Sequence, residues 1–209
     1  MKNNHTWVIC AYGESEFLEA CILSLQAQTL SSKIICYSST PLDSIKQLCQ
    51  KYGIPFYTKE GGGIGKDWNN ALSFVETSYA TIAHQDDYYE PTYLEAVMQK
   101  IEQSKDILIA YTDYFEEKNG VKIPANTNLK IKTLMLKTLN LMSSSRFWRN
   151  RVLAFGNPIS CPAVTYNLEA LRDFRFDEEM RVSLDWYAWY KISAYKGRFA
   201  YISEKLMCC

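Results

Sequence analysis

Asp86 and Asp87 stand side by side in Ala83-His84-Gln85-Asp86-Asp87-Tyr88-Tyr89, just after an apolar, strand-like run, Tyr79 to Ala83. A helix-like run follows from Pro91. In open α/β sheets, ligands bind just beyond the carboxyl ends of the strands. Two adjacent carboxylates repel each other, so a compensating positive charge is expected beside them. Hard oxygen ligands suit Mg2+ or Mn2+, and a cation held there would grip a diphosphate. The plainer reading is a strand-to-helix turn whose acids face water and favour the N-terminus of the next helix.

Glu60-Gly61-Gly62-Gly63-Ile64-Gly65 opens a helical pattern that reaches about Glu76. Glycines before a helix let backbone N–H groups approach an anion closely. The run is neither GxGxxG nor a Walker loop, because Asp67 follows Lys66, and a flexible turn explains it equally well. Its placement is what counts. Tyr12-Gly13-Glu14, Ser38-Ser39-Thr40 and Asp86-Asp87 also follow strand-like runs, on the same edge of the expected sheet.

Further along, Leu129 to Met142 is apolar at helical spacing with Lys130, Lys132 and Lys137 between, and Arg146-Phe147-Trp148-Arg149-Asn150-Arg151 follows. One reading is an amphipathic helix pair packed on the core with an ordinary cationic face. The other is a flap or peripheral membrane contact through 128–151 that holds a phosphorylated or lipid-linked substrate. Residues 118–168 contain no Asp or Glu and carry a net charge of +8, so the remainder of this neutral chain is −8. That asymmetry calls for an anionic partner on the basic side. The basic-aromatic span matches no nucleic-acid-binding module, so no nucleic-acid partner is expected.

These residues need a scaffold, and the chain has the material for one. Its 209 residues are 47% hydrophobic and 14% aromatic, enough for a sizeable core. The seven cysteines show no CxxC or metal-ligand spacing, and several lie in apolar runs, which fits a reducing compartment. No signal-like segment or membrane-length apolar run is present, so a soluble cytoplasmic protein is expected. Thr6–Tyr12, Lys33–Tyr37 and Ile54–Tyr57 read as strands, alternating with helices over Glu14–Gln28 (Ser15 as cap) and Pro41–Lys51. This βαβαβ order predicts parallel strands with helical crossovers. Then come a helix over Pro91–Gln103 and a strand over Asp106–Glu116, turning at Asn119-Gly120 into Val121–Ile123 as a hairpin. Ala163–Tyr166 reads as a strand, Asn167–Arg172 as a short helix, Leu184–Tyr195 as a helix and Arg198–Ile202 as a last strand.

The order of these pieces resembles glycosyltransferase family 2, inverting enzymes of the GT-A fold, over nearly the whole chain. The likeness rests on Tyr12 and Glu14 after the first strand, Ser24-Leu25-Gln26-Ala27-Gln28-Thr29, and Gly63-Ile64-Gly65-Lys66-Asp67-Trp68-Asn69. Gln85-Asp86-Asp87 resembles the family's DxD-type motif, and Phe176-Asp177 with Ser183-Leu184-Asp185 resembles the region supplying its general base. The resemblance implies a single α/β domain with a Rossmann-like, mostly parallel sheet flanked by helices and a small antiparallel hairpin. Residues 1–104 would form the nucleotide-sugar-binding half and 105–209 the acceptor-binding, catalytic half. Asp87 would bind Mn2+ or Mg2+, and Asp86 would contact the sugar or ribose of a nucleotide-sugar donor. Tyr12, Glu14, Ser38 and Asn69 would help hold the nucleotide. Asp185 would take the proton from a glycan or lipid-linked acceptor; read without the family, it is an N-cap.

The chain also departs from the family pattern. Tyr37-Ser38-Ser39-Thr40 stands where acids usually read the donor base, Trp68 replaces an Arg, Gln85 replaces the first acid of DxD, and Leu184 replaces the acid before the base. After Leu206-Met207-Cys208-Cys209 there is no Arg/His segment of the kind that closes over the diphosphate. The alternative expectation is therefore a weak or silent nucleotide-binding relative.

Overall fold

The structure, a computed structural model, describes residues 4–118, 121–123 and 126–209. Strand β1 (His5–Cys10) is buried on both faces and pairs in parallel with β2 (Lys33–Tyr37) on one side and β4 (Tyr79–His84) on the other. Cys10 sits opposite both Tyr37 and His84, so three strands end level with one another. That register brings the loops after residues 10, 37 and 84 to a single sheet edge, as the sequence pattern anticipated. β3 (Phe56–Tyr57) extends the parallel group beyond β2.

Because side chains alternate along a strand, β1 feeds two cores. Trp7 and Ile9 pack with α1 (Leu18–Gln26), α2 (Asp43–Lys51) and α4 (Tyr93–Glu102), whereas Val8 packs toward α3 (Ile64–Leu72). Helices thus cover both faces of the sheet.

The second half of the chain continues the same sheet. β8 (Val164–Asn167) lies antiparallel between β4 and β6 (Ile107–Lys118), and β9 (Arg198–Cys208) runs parallel to β6. β5 (Tyr88–Tyr89) pairs antiparallel with the end of β9, giving the order β3-β2-β1-β4-β8-β6-β9-β5. β7 (Val121–Ile123) pairs antiparallel with the end of β6, as a hairpin requires; the expected turn at Asn119-Gly120 lies outside the described residues. Helices α6 (Arg146–Leu153) and α7 (Leu184–Ile192), with the later turns of α5 (Thr127–Leu141), pack on the face opposite α1 and α4, while Leu129 at the start of α5 joins the α1 and α4 core. No helix among the described residues is long and apolar enough to cross a membrane.

Several expectations are corrected. Ser15 does not cap α1: its Oγ accepts from Phe17 N at 3.2 Å within the preceding turn, and the buried apolar stripe begins only at Leu18. The helix from Ile64 stops at Leu72 rather than Glu76. Residues 167–172 are not a helix. Asn167 still belongs to β8, and its side chain bonds Ile107 O and Ala170 N, holding the chain in a turn by side-chain competition for the backbone. The last strand reaches Cys208, not Ile202, because it gains β5 as a partner.

The basic-aromatic run divides. Arg149 points inward, 1% exposed, donating to the carbonyls of Ser143, Gly197, Ser193 and Tyr195 with its guanidinium over the Phe199 ring. It ties α6 to the turn after α7, a structural use of a planar fork of donors. Ile131, Leu134, Leu141, Met142 and Phe147 are exposed.

Candidate active site

The β4 strand delivers His84, Gln85, Asp86 and Asp87 to a tight turn closed by Asp87 N donating to His84 O at 3.3 Å. Gln85 clips this turn to the end of β1: its Nε2 donates to Tyr12 O and its Oε1 accepts from Tyr12 N, at 2.9 and 3.0 Å. The amide that stands in for an acid therefore fixes the position of Tyr12. Asp87 is 4% exposed, with His84 Nδ1 at 3.5 Å from its Oδ2. Burial, and then the charge of Asp86, push the Asp87 carboxyl up to about 8. Burial also holds the His84 imidazole below its ordinary range, against the opposing pull of Asp86 and Asp185.

One ligand atom from each of His84, Asp86 and Asp87 lies within 4.8 Å of the others, and His84 Nε2 has no partner among the described residues. The donor set fits a divalent cation. Two carboxylates and a neutral imidazole suit Mn2+ at least as well as Mg2+, because imidazole is a softer ligand than water or carboxylate.

A cleft of about 700 Å³ opens beside this turn, lined among others by Tyr12, Ser39, Gly61–Gly63, Asp67, Trp68 and Asp86. Gly63, at φ 112°, sits in the region that favours glycine and is the N-cap of α3. Gly65 is pressed against the loop before α7: a Cβ there would stand 2.2 Å from Asp177 O. Asn69 fastens the same contact, donating to Phe176 O at 3.0 Å and accepting from Phe176 N at 2.8 Å. As a consequence, Arg181 reaches the rim of the cleft beside Gly63.

A second cleft of about 340 Å³ is lined by His84, Asp86, Asp87, Lys132, Asn157 and Asp185, among others, and shares His84 and Asp86 with the first. Asp185 lies in the first turn of α7 and accepts from Asn157 Nδ2 at 2.6 Å. The N-cap of α7 is Ser183, in the left-handed region at φ 54°, so Asp185 is not the cap.

Of the residues singled out from sequence, Tyr12 and Asp86 line the larger cleft, and Asp86, Asp87 and Asp185 share the smaller one. The others stand apart. Ser38 is buried, with its Oγ accepting from Thr40 N, so Ser39 and Thr40 face the cleft instead. Asn69 is turned toward the 174–178 loop, and Glu14 stands on the exposed loop after β1. Sequence reasoning missed Asp67, Arg181, Lys132 and Asn157 as lining residues. Only Asp67 carried a signal, as the acid breaking the Walker pattern after Lys66.

A family model described as "Glycosyl transferase family 2" matches residues 6–163. The glycosyltransferase GlyA of Streptococcus pneumoniae serotype 4 is 24% identical over 123 residues, covering 56% of this chain and 18% of that protein. The crystal structure of S. aureus TarS 1–349 superposes with a TM-score of 0.71 at 17% identity, over 99% of this chain and 60% of that one. The mannosyltransferase PcManGT from Pyrobaculum calidifontis superposes with a TM-score of 0.73 at 12% identity, over 99% of this chain and 56% of that one. The chain thus spans less than two thirds of the length of these relatives, and the superpositions establish the fold: a GT-A-like α/β domain with a mixed, curled sheet.

Proposed function

The chain belongs to glycosyl transferase family 2, and from that premise we propose that it is a metal-dependent, inverting glycosyltransferase moving a sugar from a nucleoside diphosphate donor to an acceptor hydroxyl. One observation carries this reading: Asp86, Asp87 and Asp185, far apart in sequence, line one cleft that adjoins a larger one. TarS has been solved with UDP-GlcNAc and with UDP, and PcManGT with GDP-Man and Mn2+, which supports the donor class.

Residues 1–104 form the donor half in this reading: apart from Arg181, the lining of the larger cleft comes from residues 10–86. Tyr12 and Asp86 contact the donor, Ser38 and Asn69 support the cleft from outside its lining, and Glu14 meets the donor from the exposed loop after β1. Residues 105–209 form the acceptor half and carry Asp185. Its carboxylate takes the proton of the acceptor hydroxyl as the oxygen attacks the anomeric carbon, and the bond to the diphosphate breaks on the opposite face, inverting the centre. Asn157 aims that carboxylate. His84, Asp86 and Asp87 would hold Mn2+ or Mg2+, which when bound supplies positive charge against the departing diphosphate. The acceptor is a glycan or lipid-linked glycan, placing the reaction in the synthesis of surface polysaccharide or a related glycan.

The test is a panel of nucleotide sugars with Mn2+, scored for thermal shift and for release of nucleoside diphosphate. At least one donor is expected to raise the melting temperature and to turn over with metal. Nucleotide binding with no turnover on any acceptor or water would favour a silent binding relative instead.

The exposed side chains Ile131, Leu134, Leu141, Met142 and Phe147 lie among Lys130, Lys137, Arg146 and Arg151. This favours a peripheral contact of 128–151 with an anionic membrane, at the inner face of a cell membrane. Sedimentation with vesicles containing anionic lipid should retain the protein at low salt, and Leu134→Ser/Phe147→Ser should release it. Equal recovery with neutral vesicles, or no effect of the double substitution, would remove this contact.

A further inference from the structure

A groove of about 380 Å³ between α6 and α7 has no part in the chemistry described so far. Leu153 and Ala154 at the end of α6 form one wall, and Trp186, Tyr187 and Tyr190 of α7 form the other. Its volume is that of a small-ligand pocket. The polar atoms within its walls are already engaged: Trp186 Nε1 donates to Leu153 O at 2.8 Å, and Asn150 Oδ1 accepts from Ser193 Oγ. Tyr187 and Tyr190 are 38% and 52% exposed, with their rings 6.4 Å apart and within 18° of parallel, so apolar ring faces stand open to solvent. Asn150 meets the end of α7 and Leu153 meets its first turn, so the two helices run antiparallel and the groove lies along both. At one end its α6 wall continues into the face assigned above to a membrane, because Phe147, Asn150, Arg151 and Ala154 share one stripe of that helix and Phe147 is exposed. At the other end are Ser183 and Trp186, on either side of Asp185 along the chain, and Ala154 shortly precedes Asn157, which holds Asp185.

Resting on the transferase reading above, we propose that this groove holds the hydrocarbon chain of the acceptor, which makes that acceptor a lipid-linked glycan rather than a free one. A sugar lodged there would bring hydroxyls in need of partners, and burying them without partners is unfavourable. A hydrocarbon chain needs none, and it removes the apolar walls from water as it enters. Tyrosine suits such a position, with an apolar ring for the chain and a hydroxyl for the wet side. The path also has a direction. A chain leaving the membrane beside Phe147 runs along α6 and ends at the N-terminus of α7, where Asp185 faces the smaller cleft rather than the groove. The head of the acceptor is thereby delivered to the base, while its tail stays on the other side of the helix start.

The experiment is calorimetric titration of the wild type, Ala154→Phe and Tyr190→Ser with octyl, decyl and dodecyl maltoside below their micellar concentrations, with UDP and Mn2+ binding measured in parallel. Affinity of the wild type is expected to rise about three- to fourfold per added methylene, the signature of hydrocarbon leaving water. Ala154→Phe, which fills the groove from its wall, should flatten that dependence and leave nucleotide binding unchanged. Tyr190→Ser, at an exposed position, should weaken dodecyl maltoside several-fold and serves if Ala154→Phe fails to fold. Leu134→Ser/Phe147→Ser, outside the groove lining, should keep the dependence on chain length. Affinity indifferent to chain length, or a dependence that survives both groove substitutions, overturns the assignment while leaving the donor cleft standing. A dimer that Ala154→Phe splits would give the groove to a second copy of the chain instead. Alkyl chains that bind in the groove of a protein that binds no nucleotide would bring down the transferase reading, and with it the acceptor role proposed for the groove.

Discussion

Asp185→Asn is expected to lower the transfer rate by about 10²- to 10⁴-fold, the contribution of a positioned general base, with donor affinity nearly unchanged. The split follows from where Asp185 stands. It lines the smaller cleft with Asp86 and Asp87 but does not line the larger one. The substitution keeps the shape of the side chain and its place in the first turn of α7, and removes only the ability to hold a proton. Asn157 Nδ2 can still donate to the amide oxygen of the variant, so the loop carrying Asn157 has no reason to move. The measurement is product formation under saturating donor, alongside calorimetric donor binding. Transfer within a few-fold of wild type would mean that another group accepts the proton, and the acceptor half would need a different centre. Loss of donor binding in step with loss of transfer would mean that Asp185 holds the donor rather than activating the acceptor.

The parts legible from sequence were those written in local pattern. The buried apolar runs and helical spacing of residues 5–84 gave the parallel half, and its level register placed Asp86-Asp87 where the strand-end argument expected them. Asp185 was singled out only through the family resemblance, and the structure brings it to the same cleft as the acid pair. What stayed hidden depends on contacts between distant segments. Nothing local tells that Ser38 turns inward while Ser39 turns to Asp67, since neighbouring hydroxyls are alike in composition and differ only in pleat. Asn69 looks like a ligand-binding amide until Phe176, more than a hundred residues later, takes both its donor and its acceptor. Arg149 looked like part of a cationic surface, yet four backbone carbonyls from two separate segments, Ser143 and the 193–197 turn, collect around it. The short β5 has no period of its own and exists because the end of β9 arrives beside it.

Asp87→Asn is expected to abolish measurable divalent-cation binding and, at the same time, to make the metal-free protein less sensitive to alkaline pH. Both effects come from one buried carboxyl. Its pKa is about 8 in the folded protein, against an ordinary 3.8, chiefly through burial and then through Asp86. Between those two values the folded state keeps a proton that the unfolded chain has released. The stability this contributes is therefore fully present below the ordinary value and is lost as pH rises toward about 8. The metal-free wild type should accordingly melt at progressively lower temperature from about pH 5 to about pH 8, and Asp87→Asn should flatten that slope. A cation, in contrast, needs the ionised form, and binding at pH 7 must expel the proton. Calorimetry in buffers of different ionisation enthalpy should then register close to one proton released per Mn2+ at pH 7 and almost none well above pH 8. The apparent affinity should climb by about tenfold per pH unit below the Asp87 value and level off above it. His84 does not oppose this, because burial already keeps its imidazole neutral at that pH and ready to share in the site. Cation binding that survives in Asp87→Asn would move the metal to other ligands. Binding to the wild type without proton release at pH 7 would mean that Asp87 is ionised before the cation arrives, leaving the acid pair to be balanced by some other positive charge, for which Lys132, which lines the same cleft, is a candidate.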